Sequence, residues 1–315
     1  MIQAPAPDVA LLDWARERPD VLDDASGAVL LRGFAVAGAF GFRAFVDAVS
    51  EQGALDYQYQ STPRTAVGHG VYTATEYPAS QVIPLHNECA YQRAWPMRLF
   101  FHCVTPAATG GETPLADTVR VTARIDASVR DRFRRLGVLY VRNYRRQLDV
   151  PWQTVFQTDD RAAVERFCAE QGIDVEWRPN DGVCTRQVCQ ALATHPRTTQ
   201  EVWMNQAHLF HVSSLDPRSR ANLLRLCGAD DMPRNCFYGD GAPIESDVLE
   251  DVREAFRGAE VAFPWQAGDV LVLDNMLVSH GRRPFTGERR VLVAMSEPYA
   301  PPAPRAAHDS ASLRR

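Results

Sequence analysis

From Val71 onward, the apolar residues of this 315-residue chain fall in short runs broken by Pro and Gly. QVIPL (81–85), MRLFFHCV (97–104), GVLYVRNY (137–144), EVWMNQ (201–206), DVLVLDN (269–275) and RVLVAMSEP (290–298) are rich in β-branched and aromatic side chains. Runs this short suit strands, and a Rossmann alternation would need a helical stretch after each of them. The pattern predicts a mainly β chain, a barrel or sandwich with flanking helices.

Helical spacing of apolar residues occurs at 9–17 and 38–50, on either side of a buried strand at Gly27–Phe34. Further helices are expected at about 159–171, 217–228 and 245–257, the first two inside a partly helical insertion spanning about 140–230. No internal repeat or linker divides the chain, so residues 1–300 read as one domain, and the Pro-, Ala- and Ser-rich stretch 301–315 reads as a disordered tail.

The chain contains no lysine; all 34 basic residues are arginine. That excludes a pyridoxal Schiff base, a Walker-type phosphate lysine and a kinase lysine, each of which needs an amine. Any anion must be gripped by guanidinium groups, backbone N–H groups or hydroxyls. A net charge of −5 without a basic block argues against nucleic acid as a partner. Seven unpatterned cysteines read as reduced thiols, and no apolar run suggests a membrane span or a secretory leader, so a cytoplasmic location is expected.

With eight histidines, each can be weighed. His86 and Glu88 flank one residue after the strand-like QVIPL, and in an extended segment side chains i and i+2 share a face. His280 follows the apolar run of DVLVLDNMLVSH. Two histidines and one carboxylate can form the facial triad of non-haem Fe(II) oxygenases, which leaves positions open for a bidentate co-substrate and O₂. Fe²⁺ with two neutral imidazoles and one carboxylate carries about +1, which suits the oxalyl end of a 2-oxo acid. The far carboxylate of 2-oxoglutarate would then need a planar cation, Arg289 or Arg290.

These residues carry a family resemblance. STPRT (61–65), VYTATEYP (71–78), IPLHNECAYQRAWP (83–96), GGETPLAD (110–117), the stretch from His195 to His211 and GDVLVLDNMLVSHGRRPF…RR occur in the order seen in the taurine-dioxygenase superfamily of Fe(II)/2-oxoglutarate oxygenases. The chain most resembles its clavaminate-synthase-like branch, which includes the aspartyl-hydroxylase type of syringomycin biosynthesis. The resemblance implies a double-stranded β-helix (jelly-roll, cupin-like) core with the insertion as a lid. It implies His86, Glu88 and His280 as iron ligands, and Thr113 with Arg290 as the pair holding the distal carboxylate of 2-oxoglutarate. Arg290 is favoured over Arg289 because relatives usually use the later of such a pair, and strand parity lets only one point inward. Retention of Glu88 speaks against halogenation, since halogenating relatives lose that carboxylate.

The implied reaction is hydroxylation of an unactivated C–H bond, at the β-carbon of an amino acid that is either free or carrier-protein-bound, in natural-product biosynthesis. Desaturation or cyclisation by the same chemistry is the nearest alternative, and a non-catalytic β-helix binding protein is the alternative of another class. Glu76, Arg64 and Asn205 are candidate substrate contacts. Some relatives acting on small free acids carry a second arginine four residues past Arg290; here Ala294 stands there, which fits a substrate whose carboxyl is masked on a carrier protein. Arg142, Arg145 and Arg146 read as a solvated face, with an acidic carrier as the second reading. His208 and His211 read as core or lid residues, and Asp269 and Asn275 as fixing the turn before His280.

Overall fold

The computed structural model describes residues 1–18, 22, 27–55, 64–145 and 150–301. Two sheets form its jelly roll. The larger orders its strands Ile2–Gln3, Ala28–Arg32, Val270–Asp274, Trp95–Thr105, Arg290–Tyr299, Val71–Thr73 and Ala66–Gly68. The smaller orders Glu260–Val261, Leu115–Asp117, Val278–Arg282 and Ile83–His86.

The central strands are apolar over most of their length because both of their faces are covered. Leu99, Phe101, Cys103, Leu271, Leu273, Val291, Val293 and Met295 fill the barrel interior. Their neighbours in sequence, Phe100, Val270, Val272, Leu292 and Ala294, turn the other way and pack on Leu11, Phe42, Phe45 and Val46 of the two N-terminal helices, Leu11–Arg16 and Gly38–Val49. Phe45 meets Phe100 edge to face, 6.1 Å between centroids. Alternation in the Arg290–Tyr299 strand thus assigns odd positions to the interior and even positions to the helix side.

The helices expected at 159–171, 217–228 and 245–257 are present as Arg161–Gln171, Pro217–Cys227 and Ser246–Arg257. The first two are capped by Asp160 and Asp216, whose carboxylates accept from first-turn amides. Two further helices, Thr118–Arg124 and Ala127–Leu136, follow the GGET segment, capped by Asp117 and Asp126.

The insertion is as much sheet as helix. Asp174–Arg178, Gly182–Cys189, Val138–Tyr144 and Arg234–Tyr238 form a third sheet, antiparallel and in that order. The short helix Ala207–Phe210 joins it to the histidine strand: His208 Nε2 lies 3.0 Å from the Leu85 carbonyl, and Gln206 Nε2, at the helix start, donates to the Asn87 carbonyl at 2.7 Å. Among the described residues, none from 140–230 lines the pocket beside His86 and His280. Arg142 is not on a solvated face. It is buried, its guanidinium over the rings of Tyr144 and Tyr91. Arg145 pairs with Asp231, and Arg146 and residues 302–315 lie outside the described residues.

All seven cysteines are free thiols. Among the described residues no helix is long and apolar enough to cross a membrane.

Candidate metal centre and its pocket

The Ile83–His86 and Val278–Arg282 strands run antiparallel with His86 directly opposite His280. Cross-strand partners have their side chains close together, and here the two imidazole centroids are 4.6 Å apart. Glu88 lies just past the end of the first strand. Its Oε2 is 4.0 Å from His86 Nε2 and 3.8 Å from His280 Nε2, and the ligand atoms of all three residues lie within 4.8 Å of one another. Among the described residues this is the one cluster of three or more His, Cys, Asp or Glu side chains able to hold a metal ion.

Their protonation fits that use. His86 Nδ1 lies 2.8 Å from the Pro84 carbonyl, a contact that puts a proton on Nδ1 and turns Nε2 toward the other two ligands. Burial, then His86, push His280 down to about 3, so its imidazole is neutral. Burial alone would raise Glu88, but the positive charge around it, Arg64 foremost, outweighs burial and holds the carboxyl at about 2. Two neutral imidazoles and a carboxylate are the donor set of a divalent first-row metal.

A buried asparagine holds this carboxylate in place. Asn275 Oδ1 accepts from the Glu88 amide at 2.7 Å, while its Nδ2 donates to the carbonyls of Glu88 (2.9 Å) and Pro96 (2.8 Å). Asn275 therefore ties the turn before His280 to the backbone of Glu88, a more specific task than fixing the turn alone. Asp274 caps the same turn through the amides of Met276 and Leu277 and pairs with the buried His195 at 2.9 Å. Asp269 accepts two hydrogen bonds from Arg32, at 2.9 and 2.7 Å, at the start of the strand.

A pocket open to solvent lies beside the triad, lined among others by Arg64, His86, Phe101, Thr113, His280 and Arg289. Thr113 is buried and its Oγ1 accepts from Trp265 Nε1 at 3.0 Å. Of the arginine pair, Arg289 enters the pocket and Arg290 is exposed, so the expectation placed on Arg290 is corrected. The reason is parity: Val291 packs inside the barrel, and the alternating chain puts 289 on its side and 290 on the other. Burial and the nearby Arg282 push Arg289 down to about 10.

The same parity places Ala294 in the layer against the N-terminal helices. Its small side chain faces away from the pocket and carries no information about a substrate carboxylate. Glu76 is exposed, accepts from the hydroxyls of Thr65 (2.6 Å) and Thr73 (3.0 Å), and does not line the pocket. Asn205 is buried and committed to backbone, Nδ2 to Ala191 O and Oδ1 from Ala207 N. Arg64 does line the pocket, where its Nη2 donates to Glu88 Oε2 at 2.8 Å. His208 and His211 do not form a metal pair. His208 stacks on Phe256, and His211 caps a 3₁₀ turn through Ser213.

Residues unremarked in the sequence complete the site. Arg282 donates to the carbonyls of Tyr77, Pro78 and Gln81, clamping the 77–81 loop beside the pocket. Gly281, between His280 and Arg282, passes so close to the Ile83 carbonyl that a Cβ would come within 2.5 Å of its oxygen. The Ser-His-Gly-Arg-Arg order was the available signal, since a glycine inside a strand marks close backbone approach.

Comparison with known proteins gives the same assignment. The family model described as taurine catabolism dioxygenase TauD, TfdA family matches residues 3–295. The dapdiamide synthesis protein DdaC of Enterobacter agglomerans is 40% identical over 309 residues, covering 98% of this chain and 94% of that protein. A clavaminate synthase-like protein of Arabidopsis thaliana is 34% identical over 286 residues, 88% of this chain and 83% of that one. The solved structure of PvcB from Pseudomonas aeruginosa superposes with a TM-score of 0.54 at 18% identity, covering 93% of this chain and 83% of that one. An asparagine oxygenase in complex with Fe(II), 3-hydroxyasparagine and succinate gives 0.53 at 14% identity, covering 90% and 77%. The chain belongs to the TauD, TfdA family of dioxygenases.

Proposed function

We propose that the protein is an Fe(II)/2-oxoglutarate-dependent oxygenase that hydroxylates an unactivated C–H bond, at the β-carbon, of an amino acid in natural-product biosynthesis. The observation that carries this reading is the convergence of His86, Glu88 and His280 beside a pocket that His86, His280, Thr113 and Arg289 line. The near-full-length likeness to a dapdiamide synthesis protein supports the biosynthetic setting.

His86 and His280 would offer Nε2, and Glu88 a carboxylate oxygen, to Fe(II). The bound iron supplies the activation of O₂ that couples decarboxylation of the oxo acid to C–H oxidation. Arg289 and the Thr113 hydroxyl receive the distal carboxylate of 2-oxoglutarate. In this half-buried position a guanidinium–carboxylate pair is worth more than on the surface. Phe101, with its ring 5.1 Å from that of His280, keeps the inner wall apolar and excludes water.

The finer question is whether the amino acid arrives free or on a carrier protein. Ala294 faces away from the pocket and Arg142 is buried, so both sequence arguments for a carrier lose their footing. We therefore favour a free amino acid.

The test is succinate release with Fe(II), ascorbate and 2-oxoglutarate over free and carrier-loaded amino acids, with product mass measured. A gain of one oxygen supports hydroxylation, and a loss of two hydrogens favours the desaturase reading. No consumption of 2-oxoglutarate together with no binding of Fe(II) would leave a non-catalytic binding protein.

A further inference from the structure

Arg64 and Glu88 form an ion pair at 2.8 Å whose side chains are 4% and 5% exposed. The acceptor is Oε2, the same oxygen that lies 4.0 Å and 3.8 Å from the two imidazole Nε2 atoms. The guanidinium thus addresses the atom that the triad offers to a metal. On the proposed oxygenase reading, on which this inference rests, Arg64 changes the charge of the centre. Two neutral imidazoles and Glu88 alone would bring a divalent ion to a net charge of about +1, and the Arg64 guanidinium adds a positive charge beside it.

We infer that Arg64 is a positioning residue that makes the metal and the oxo acid bind interdependently. It pins the Glu88 carboxylate toward both histidines, and its positive charge opposes a lone divalent ion while favouring the ion accompanied by an anion. Arg289 sits apart from this pair, held by the Gly111 carbonyl, and serves the far end of the oxo acid. Arg64 serves the near end through electrostatics. A unit charge a few ångströms away in a site with an effective dielectric of about 20 exceeds what a tenfold change in affinity requires. Linkage makes the effect reciprocal, so the factor by which 2-oxoglutarate tightens the metal equals the factor by which the metal tightens 2-oxoglutarate.

The experiment titrates Mn(II) into the full chain, with and without 2-oxoglutarate, and compares wild type with Arg64→Gln and Arg64→Lys. Arg64→Gln is expected to bind Mn(II) alone about tenfold more tightly than wild type, and to lose about tenfold in the tightening by 2-oxoglutarate. Arg64→Lys keeps the charge and should stay near wild type in both. Arg64→Met is the second neutral variant should Arg64→Gln misfold by circular dichroism. Weaker binding of Mn(II) alone by the neutral variants, unchanged coupling, or a lysine variant that behaves like glutamine would each overturn the inference. Wild type that binds no Mn(II) at all would instead remove the oxygenase reading itself.

Discussion

Arg289 Nε donates to the Gly111 carbonyl at 2.9 Å, two residues before Thr113. One glycine turn therefore presents a hydroxyl to the pocket and holds the guanidinium that lines it. Arg289→Ala should raise the 2-oxoglutarate KM by roughly a hundredfold, the scale of losing a charge-assisted pair in a half-buried site. Arg290→Ala should leave it within about twofold, as surface substitutions usually do. Steady-state succinate release against 2-oxoglutarate concentration checks both. The larger effect at Arg290 would refute the strand face seen here.

Gly111 has φ of +72°, and a Cβ there would meet Arg289 Cδ at 3.0 Å and Nε at 3.1 Å. Gly111→Ala adds both backbone strain and pressure on the guanidinium. Stability should fall by about 1–2 kcal/mol. The 2-oxoglutarate KM should rise while Mn(II) affinity in the absence of 2-oxoglutarate stays near wild type, because the triad is on other strands. Urea unfolding and Mn(II) titration separate the two effects.

Asn275 spans the Glu88 amide, the Glu88 carbonyl and the Pro96 carbonyl, all buried. Asn275→Ala strands three backbone groups and should cost about 3 kcal/mol or more. Because one of those groups belongs to a metal-ligand residue, Mn(II) affinity should drop with stability. An alanine variant with wild-type metal binding would show that Asn275 serves the fold alone.

His208 is buried and neutral, pushed down to about 3 chiefly by burial, with Arg253 and His86 adding to it against the Leu85 carbonyl contact. An unfolded chain protonates histidine near pH 6.5. Between these values the unfolded state takes a proton that the folded state refuses, so stability is full above about pH 6.5 and falls as pH drops toward 3. His211, pushed down to about 4 by burial, adds to the same slope. His208→Gln should shrink the stability difference between pH 7 and pH 5 by about 1–2 kcal/mol. Urea midpoints at the two pH values provide the check, and an unchanged difference would show that His208 does not titrate as its burial requires.

The strands of the barrel and its principal helices were readable because their signals are local. Runs such as DVLVLDN and RVLVAMSEP have the length and β-branched content of buried strands, and Asp160 and Asp216 mark helix starts. Helix Ala127–Leu136 was missed although Val129, Phe133 and Leu136 have helical spacing, because three apolar residues among six polar ones make only a short stripe. The paired strands Asp174–Arg178 and Gly182–Cys189 were missed because polar residues interrupt them, and the first lies at the edge of the third sheet.

By itself, the sequence determined which chemistry was available: no amine, a His-x-Glu pair, a distant histidine, and arginine as the only cation for an acid. Spacing along the chain could not decide which of two adjacent arginines faces inward, nor that Ala294 faces the helices. Those choices follow from which face of the Arg290–Tyr299 strand meets the barrel interior, and sheet packing sets that over the whole strand. The ion pair of Arg64 with Glu88 and the clasp of Asn275 on Glu88 join residues 24 and 187 positions apart. Contacts so distant in sequence exist only once the two sheets close, and only the tertiary structure could reveal them.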